Sequence, residues 1–286
     1  HGLALRREDT RDLPHARELA REAAGAGEIV LALSGDGLLG ALADALRDVP
    51  GATLGILPGG RGNDLARVLG MPDDAIAACA AFASGVPRAL DLGVVLAGSA
   101  EQRGDSYVGI ASAGFDSDAN RIANEAPAWL GGQVYAYGAL RALVSWRPAR
   151  FEIELDPPGG ERHSFSGYSI AAANSRAYGG GMNLAPDALL DDGLLEIVAV
   201  KRVSKLRFLL NLPKVFAGTH VLLENVLVFR AAEVAISADR PFVLYADGDP
   251  IGELPLRVRA ERGAVNMIVP AGADAAPFGS APTTGG

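Results

Sequence analysis

GILPGGRGNDLARVLG, residues 55–70, is the stretch of sequence that decides the fold. It starts as an apolar segment, breaks at Pro58, passes three glycines and continues with the apolar spacing of a helix. This order predicts a strand, a tight turn and a helix, and such a turn directs backbone N–H groups at an anion such as phosphate. Residues 28–46, EIVLALSGDGLLGALADAL, repeat the pattern. We expect the two turns to meet at the carboxyl edge of one parallel sheet.

The composition indicates a globular protein that does not bind nucleic acid. Of the 286 residues, 49% are hydrophobic and 21% are charged, and the formal net charge is −8. A nucleic-acid partner would require a basic surface. Cys79 is the only cysteine, so this sequence can form neither an intramolecular disulfide nor an all-cysteine metal site. No apolar run reaches the ~20 residues of a membrane span, and we expect a cytoplasmic protein.

The pattern of strands and helices divides the chain into two domains. Residues 1–91 alternate strands and helices, which predicts a parallel α/β domain. Residues 92–270 are dominated by β segments and predict a mostly antiparallel β-sandwich. Residues 271–286 are small, polar and interrupted by proline, and we expect them to be disordered. In the first domain we expect a short strand at residues 2–6, a strand at residues 29–33 that is buried on both faces, and an upstream first strand that this sequence does not contain.

The two glycine turns contain the first candidate functional residues. Asp36 lies between two glycines; it either caps the following helix or stands near phosphates and holds a metal or a metal-bound water. Three glycines within four residues of the second turn indicate that a ligand approaches the backbone closely. Arg61 on this turn either contacts a phosphate or is solvated. Neither turn fits the Walker pattern or GxGxxG.

Two acidic segments in the second half of the chain complete the candidates. Residues 245–249, YADGD, place two carboxylates around a glycine, a pattern that by itself is typical of an ordinary hairpin turn. Residues 179–193, GGGMNLAPDALLDDG, combine three consecutive glycines with several acidic residues. This second segment indicates either a close backbone approach with a hard cation held by oxygen atoms, or a flexible loop.

Taken together and in this order, the four segments resemble the bacterial diacylglycerol kinase and lipid kinase family, whose catalytic domain is shared with sphingosine kinases and related in fold to NAD kinases. The family motifs GGDGT, PxGTxND, GGGxxxxPxAxxxDG and DGE correspond to SGDGL at 34–38, PGGRGND at 58–64, GGGMNLAPDALLDDG at 179–193 and DGD at 247–249. The resemblance implies an N-terminal parallel α/β nucleotide-binding domain and a C-terminal β-sandwich. It also implies a kinase that uses ATP and Mg²⁺ to phosphorylate a lipid hydroxyl, of diacylglycerol or a sphingoid-like lipid, in the cleft between the domains.

The resemblance also implies the roles of particular residues. Asp249 becomes the general base, Asp36 helps to hold the catalytic magnesium and the phosphates, and Asp247 completes the candidate catalytic set. The implied ligands of a structural magnesium are the carboxylate of Asp192 and the main-chain carbonyls of Leu189 and Leu194. The implied nucleotide-binding residues are Ser34, Gly35, Asp36, Gly37, Gly59, Gly60, Arg61, Gly62, Asn63 and Asp64.

The sequence departs from the family pattern at several positions, two of which lose a hydroxyl group. Ser34 and Leu38 replace the first glycine and the threonine of GGDGT, and Arg61 replaces the threonine of the second turn. The missing hydroxyls bear on ATP affinity and nucleotide choice, and the guanidinium fork of Arg61 can compensate because it suits phosphate oxygens. Asp249 is one methylene shorter than the family's glutamate, which withdraws the base unless its loop follows. The family's opening strand and Asn-Pro phosphate loop are not in this sequence, and we expect weak ATP binding in a chain that lacks them.

A lipid substrate requires access to a membrane. Residues 204–216, SKLRFLLNLPKVF, predict either an amphipathic helix that contacts anionic lipid or a core helix with a solvated basic face. The loop at 124–132 is a further candidate for a lipid entrance. The expected partners are a lipid substrate, the inner face of the membrane and a second copy of the chain, in a homodimer through exposed strand edges. The alternatives are an NAD kinase-like small-molecule kinase and a non-catalytic lipid- or nucleotide-binding module on the same fold.

Overall fold

The computed structural model describes residues 2–96, 103–127, 134–272 and 277–279. Its helices are α1 (Leu13–Gly25), α2 (Asp36–Leu46), α3 (Asp64–Val68), α4 (Ala75–Ala83), α5 (Phe115–Glu125), α6 (Val134–Ser145) and α7 (Lys205–Phe216). Its strands are β1 (Val30–Ser34), β2 (Thr53–Pro58), β3 (Val86–Leu96), β4 (Arg103–Tyr107), β5 (Ile110–Gly114), β6 (Ala149–Leu155), β7 (Arg162–Ala173), β8 (Leu195–Lys201), β9 (Val226–Ala231), β10 (Glu233–Ala238), β11 (Val243–Ala246), β12 (Asp249–Glu253) and β13 (Leu256–Val269).

The N-terminal domain is a parallel α/β unit, as the sequence predicts. β1 and β2 are parallel, and Ser34 pairs with Pro58 at their carboxyl ends. Leu54 and Ile56 of β2 are fully buried and belong to the same apolar cluster as Leu39 of α2. Because the two strands end side by side, the turns that follow them leave the sheet at the same edge, which is the placement that the sequence predicts.

The C-terminal domain is the predicted β-sandwich and is mostly antiparallel. β6, β7, β8 and β9 pair consecutively in antiparallel fashion, and β5 connects β7 to β11. Its core contains a group of aromatic rings, in which Phe115 lies edge-on to Trp146 and to Tyr168, with ring centres 5.7 and 6.0 Å apart. Edge-to-face packing of large rings fills this core and fixes the position of α5, which begins at Phe115.

Two strands connect the domains. β3 runs through the domain boundary expected near residue 91 and pairs along its length with β13. The last part of β13 pairs in parallel with β2, at Asn266 and Met267. A strand that the sequence assigns to the sandwich therefore also completes the N-terminal sheet. Periodicity could not indicate this, because β2 and β13 are about 200 residues apart in the chain.

The start of the chain differs from its expected secondary structure. Residues 2–6 form no strand, and the side chains of Leu3 and Leu5 are 60% and 79% exposed. The strand expected to be buried on both faces, β1, leaves Leu33 73% exposed. Within the described residues β1 has a single neighbouring strand, β2, so one of its flanks lacks the cover that an interior parallel strand would have.

Part of the expected disordered tail is ordered. The Phe278 side chain is 6% exposed and lies under the guanidinium of Arg88, whose Cζ is 3.9 Å from the ring centre. The Leu190 N–H donates to the carbonyl of Pro277, 2.8 Å away. The Gly279 N–H donates to Asp191 Oδ1 at 2.7 Å, so a buried aromatic side chain and two hydrogen bonds hold residues 277–279 in place. Residues 273–276 and 280–286 lie outside the described part of the chain.

Candidate active site

The two glycine turns are in direct backbone contact. A Cβ atom on Gly60 would overlap the Cα atom of Gly35, and one on Gly35 would come within 3.0 Å of the Cα atom of Gly60. No other residue type permits this approach. The sequence predicts Gly35 and Gly60 at a ligand. The contact between the two turns is by itself enough to require glycine at both positions.

Hydrogen bonds inside the second turn show which backbone groups remain open. The Gly59 N–H donates to the Ser34 carbonyl at 2.9 Å. The Gly60 N–H donates to Asn63 Oδ1 at 2.8 Å, and Asn63 Nδ2 returns a bond to the Gly60 carbonyl at 3.1 Å. The amides of Gly59 and Gly60 therefore hold the turn and are not available to a phosphate. Within the described residues, the N–H groups of Arg61 and Gly62 have no acceptor.

α2 offers a second group of open amides. It begins at Asp36 directly after Gly35, and no side chain caps it. The first N–H groups of a helix have no partner inside the helix and favour an anion. The N-terminus of α2 and the amides after Gly60 lie at the same edge of the sheet, and this edge can accept a polyanionic ligand.

One interpretation of Asp36 was that it caps the helix that follows it, α2. The structure shows that it does not. Its carboxylate accepts hydrogen bonds from the Asp64 and Leu65 N–H groups, both at 3.0 Å, and so caps α3. The first turn is thereby tied to the second by a charged acceptor at a helix N-terminus.

Asp64 makes the corresponding connection to the triple-glycine loop. Its carboxylate accepts from the N–H groups of Gly180 at 2.8 Å and Gly181 at 2.7 Å, and Arg67 pairs with it at 2.8 Å. Burial raises the pKa of Asp64, and the nearby charge of Asp36 adds to the rise. The loop at 179–181 is thus held at the site by backbone amides. It is not a free flexible segment.

The DGD segment is both a hairpin turn and a wall of the site. Ala246 pairs with Asp249, so the hairpin loop is Asp247-Gly248, with φ of 51° and 98°. Positive φ at both positions is the backbone geometry of a tight two-residue hairpin. A Cβ atom on Gly37 would lie 3.1 Å from Asp249 Oδ2, so the hairpin rests on the first turn of α2. The structure therefore brings the late acidic turn to the early glycine turns.

Asp247 is the most strongly perturbed acid of the site. It accepts hydrogen bonds from the Val108 N–H at 2.9 Å and the Gly109 N–H at 3.0 Å. Burial raises the pKa of Asp247 to about 7, and the charge of Asp36 contributes to this rise. In contrast, the Asp249 side chain accepts no hydrogen bond from the described residues, and partial desolvation raises its pKa.

A cavity of about 60 Å³ lies among these groups. Its wall includes Asp36, Asp64 and Asp247, which come from three different motifs. Two tyrosines that the sequence analysis did not assign, Tyr178 and Tyr245, also line it. Both adjoin motif residues in the sequence, and this proximity was the available signal.

Asp116 lies behind Tyr178 and had no sequence signal. Burial raises the pKa of Asp116 to about 6, and hydrogen bonds with Ser169 and Tyr178 oppose the rise. Burial and the charge of Asp116 in turn raise the pKa of the Tyr178 hydroxyl. Tyr178 and Asp116 therefore form a line of interacting acidic groups that leads from the cavity wall into the β-sandwich.

The acidic cavity fits a cation that arrives with a ligand. Among the described residues, no three His, Cys, Asp or Glu side chains lie close enough together to hold a metal ion by themselves. The charge of Asp36 nevertheless raises the proton affinity of Asp64 and of Asp247, and oxygen donors are what magnesium prefers. These residues suit a cation whose remaining ligands come from nucleotide phosphates.

The implied structural magnesium site does not fit a metal as this chain arranges it. Asp192 Oδ1 accepts from the Leu194 N–H at 3.0 Å, and Asp192 Oδ2 contacts the Arg230 guanidinium. Arg230 Nε also lies 2.8 Å from Glu196 Oε1. A guanidinium therefore neutralises the acids where the resemblance implies a metal, and both oxygens of Asp192 are engaged. The metal role of Leu189, Asp192 and Leu194 stays a prediction.

The fold and this cleft place the chain in the class of two-domain lipid kinases with an NAD kinase-like fold. The family described as the diacylglycerol kinase catalytic domain matches residues 1–95, and the family described as the YegS C-terminal NAD kinase beta sandwich-like domain matches residues 109–269. The chain belongs to the diacylglycerol kinase family of lipid kinases.

Individual relatives extend over most of the chain. A protein named diacylglycerol kinase from Mycobacterium tuberculosis is 33% identical over 265 residues, covering 91% of this chain and 82% of that protein. A protein named "Probable lipid kinase YegS-like" from Chromohalobacter salexigens is 32% identical over 263 residues, covering 89% and 80%. A crystal structure of a diacylglycerol kinase from Bacillus anthracis superposes with a TM-score of 0.71 at 18% identity, over 93% of this chain and 85% of that one, and shares the fold.

The raised pKa of Asp247 makes stability depend on pH. The folded protein holds this proton up to a pH of about 7, whereas the unfolded chain releases it near pH 4, so stability falls as the pH rises between these values. Asp247→Asn removes the effect. Without nucleotide or magnesium, the melting temperature of the variant relative to wild type should rise by about 5 °C between about pH 4 and pH 8. The exposed Asp239→Asn serves as control, and a pH-independent difference would contradict the assignment.

Replacing Arg230 should create a response to magnesium. Arg230→Met leaves the carboxylates of Asp192 and Glu196 without their cation, so Mg²⁺ should raise the melting temperature of this variant by about 3 °C more than that of wild type. Arg230→Lys retains a positive charge and should behave as wild type. Scanning calorimetry without nucleotide measures all three proteins. Equal magnesium responses would show that the guanidinium does not stand in for a metal.

Proposed function

We propose that this protein transfers the γ-phosphate of ATP to the hydroxyl of a lipid, of the diacylglycerol or sphingoid type, in the cleft between its two domains. The observation that carries the proposal is the position of the Asp247–Asp249 hairpin on the first turn of α2. That contact puts a carboxylate with open oxygens next to the helix end and glycine turn that suit phosphates. Phosphoryl transfer mostly requires positioning and charge neutralisation, and these are what such a cleft supplies.

The proposed mechanism assigns one task to each part of the site. The N–H groups of Arg61 and Gly62 and the N-terminus of α2 bind the phosphates, with the Arg61 guanidinium as a further donor. Bound Mg²⁺ would neutralise charge on the phosphates, next to Asp36. Asp249 accepts the proton of the lipid hydroxyl while the hydroxyl oxygen attacks the γ-phosphorus, and ADP leaves.

Asp249 suits the general base better than Asp247 does. Asp247 holds the hairpin through the Val108 and Gly109 amides, so proton uptake there would weaken bonds that position the loop. Asp249 accepts no hydrogen bond from the described part of the chain, and its raised pKa brings its proton affinity closer to neutral pH. Asp247 is then the residue that positions the base.

The assay of this proposal uses diacylglycerol in mixed micelles and radiolabelled ATP with Mg²⁺. Asp249→Asn should lower kcat by about 10²–10⁴-fold, the usual effect of removing a general base, with an unchanged melting temperature. Asp239→Asn, an exposed acid before β11, should retain full activity. Undiminished turnover in Asp249→Asn would refute the base assignment. Phosphorylation of NAD with lipids untouched would establish the small-molecule kinase, and lipid binding without any turnover would establish the binding module.

We further propose that α7 contacts an anionic bilayer from the cytoplasmic side. None of its residues is fully buried, and Leu206 and Leu210 are each 68% exposed. Its N-terminus adjoins α6, where Lys205 Nζ donates to the Val144 carbonyl at 2.9 Å and the Val144 side chain is 75% exposed. Exposed apolar side chains flanked by lysine and arginine are typical of a helix that lies on a membrane.

Two further observations bear on membrane contact. The structure shows, over its described residues, no helix with the length and apolar character needed to cross a bilayer. The loop at 124–132, the other candidate for a lipid entrance, includes residues 128–132, which lie outside the described residues. The proposal therefore rests on α7 and the adjoining end of α6.

Vesicle sedimentation tests the contact made by α7. Leu206→Glu combined with Leu210→Glu should reduce the bound fraction on phosphatidylglycerol-containing vesicles at least about tenfold, since it removes apolar burial and adds negative charge. Ile76→Glu on α4 is the matched control, because Ile76 is 82% exposed but belongs to the N-terminal domain. Equal binding of the α7 variant and the control would refute the role of α7.

A further inference from the structure

A second, larger cavity lies in the C-terminal domain, with a volume of about 320 Å³. It is bounded by α5, by the residues at and after the end of α6, and by the start of β11. We call it the arginine cavity, because three arginines are in its wall. Its lining residues are Ser117, Asp118, Arg121, Ser145, Trp146, Arg147, Arg240, Pro241, Phe242, Val243 and Tyr245.

The charge of the arginine cavity is positive. Three guanidinium groups face one lining carboxylate, that of Asp118. Arg121 also pairs with Glu125, on the next turn of α5, at 3.3 Å. The planar donor fork of arginine matches the oxygens of phosphate and carboxylate groups. The wall is therefore suited to an anion.

Arg240 is held in place before any ligand arrives. Its Nη2 donates to the Arg147 carbonyl at 2.5 Å. Its Cζ lies 5.1 Å from the ring centre of Trp146 and 5.0 Å from that of Phe242. Cation–π contact with two buried rings reduces the freedom that binding would otherwise cost. The remaining donors of Arg240 are thus preorganised at the cavity.

Trp146 supplies an independent sign of a missing acceptor. Its side chain is 4% exposed, and its Nε1 is buried with no hydrogen-bond partner among the residues that the structure describes. A buried indole N–H normally has an acceptor. Trp146 also lines the arginine cavity, so a residue of the cavity wall carries a buried donor without a partner in the described part of the chain.

The arginine cavity adjoins the catalytic cleft through one residue. Tyr245 lines both cavities, and it precedes Asp247 by two positions on the same hairpin. The two cavities therefore share a wall residue on the hairpin that carries the proposed general base. The arginines require a ligand with anionic oxygens, and the neighbouring cleft is proposed to take a lipid. Anionic glycerophospholipids combine these two properties, because they carry a phosphodiester next to an acylated glycerol.

We propose that the arginine cavity binds the phosphodiester group of an anionic glycerophospholipid, beside the acceptor site. This rests on the proposed lipid kinase function for its significance, but the binding itself does not require turnover. The lipid has two possible sources: a neighbouring membrane lipid that promotes phosphorylation of another acceptor, or an acceptor that carries its own phosphodiester. The chemistry that the three arginines recognise is the same in both.

Binding is tested without ATP, so that failure of the kinase proposal does not affect the result. The chain has two tryptophans, and in a Trp129→Phe background the emission reports Trp146 alone. Short-chain phosphatidylmethanol, kept below its micelle concentration, should shift this emission saturably, whereas short-chain phosphatidylcholine should not. Arg121→Gln and Arg240→Gln should each weaken binding of phosphatidylmethanol about tenfold, as expected for loss of a charge-assisted bond.

Arg141→Gln is the control for charge, because Arg141 is exposed on α6 and does not line the cavity. Equal binding of all variants, or equal binding of the neutral lipid, would overturn the proposal. Arg121 is exposed, so its variant stays informative if Arg240→Gln fails to fold.

Two activity measurements then separate the sources. If the site serves a neighbouring lipid, phosphatidylmethanol, which has no headgroup hydroxyl, should stimulate diacylglycerol phosphorylation in wild type and not in Arg121→Gln. If the bound lipid is itself the acceptor, radiolabel should enter phosphatidylglycerol, and less so in Arg121→Gln. Either result supports the site if the effect seen in wild type is lost or reduced in Arg121→Gln. An effect that persists unchanged in Arg121→Gln would contradict the site.

Discussion

Carboxylates that accept pairs of backbone N–H groups from distant segments hold this molecule together at its centre. Asp36 binds the amides of residues 64 and 65, Asp64 those of 180 and 181, and Asp247 those of 108 and 109. Asp91 does the same outside the cavity, with the Gly193 N–H at 2.6 Å and the Gly263 N–H at 2.7 Å. Charge-assisted bonds of this kind are stronger than neutral ones, and those of Asp36, Asp64 and Asp247 each join a separate part of the chain to the cleft.

The same bonds concentrate negative charge that no protein cation fully offsets. Burial and the charge of Asp36 raise the pKa values of Asp64 and Asp247, so keeping these two carboxylates ionised in the cleft has a cost in free energy. A cation and a polyanion that bind together would remove this cost without adding net negative charge. Asp64 is one of the acids that such a ligand would relieve, and its bonds to Gly180 and Gly181 also connect the N-terminal domain to the C-terminal domain.

The sequence predicted the meeting of the turns because one physical rule governs it: parallel strands end at a common sheet edge. The partners of each acid could not be predicted in the same way. A backbone amide has no residue identity, so nothing in the sequence linked Asp36 to α3 or Asp64 to Gly180. Local reasoning left Asp36 between capping its own helix and standing near phosphates, and it placed Gly59 and Gly60 at a ligand. The structure shows that Asp36 caps α3 and that the Gly59 and Gly60 amides bond within and between the turns, and the nucleotide-binding role of these residues stays a prediction.

Other features were missed for want of a pattern. Asp116 and Arg230 belong to no motif, and they acquire importance only from the groups packed beside them. Leu33 belongs to an apolar segment that is typical of an interior strand. Its exposure depends on what surrounds β1 in the folded protein, and hydrophobic periodicity does not predict the order of the strands. Phe278 shows the opposite case, in which a segment expected to be disordered is ordered. The aromatic side chain within this polar segment helps to hold residues 277–279 in place.

Two departures from the family pattern remove a hydroxyl group, at Leu38 and Arg61, and a third, Ser34, adds one. Ser34 donates its hydroxyl to the Gly35 carbonyl at 3.1 Å, and Leu38 packs against the N-terminal core. Neither side chain is thus directed to a nucleotide. The glycines that let the turns touch and the acids that bind the amides are all present. In the proposed function, phosphate recognition at this edge therefore depends on the open amides and on Arg61 more than on threonine hydroxyls.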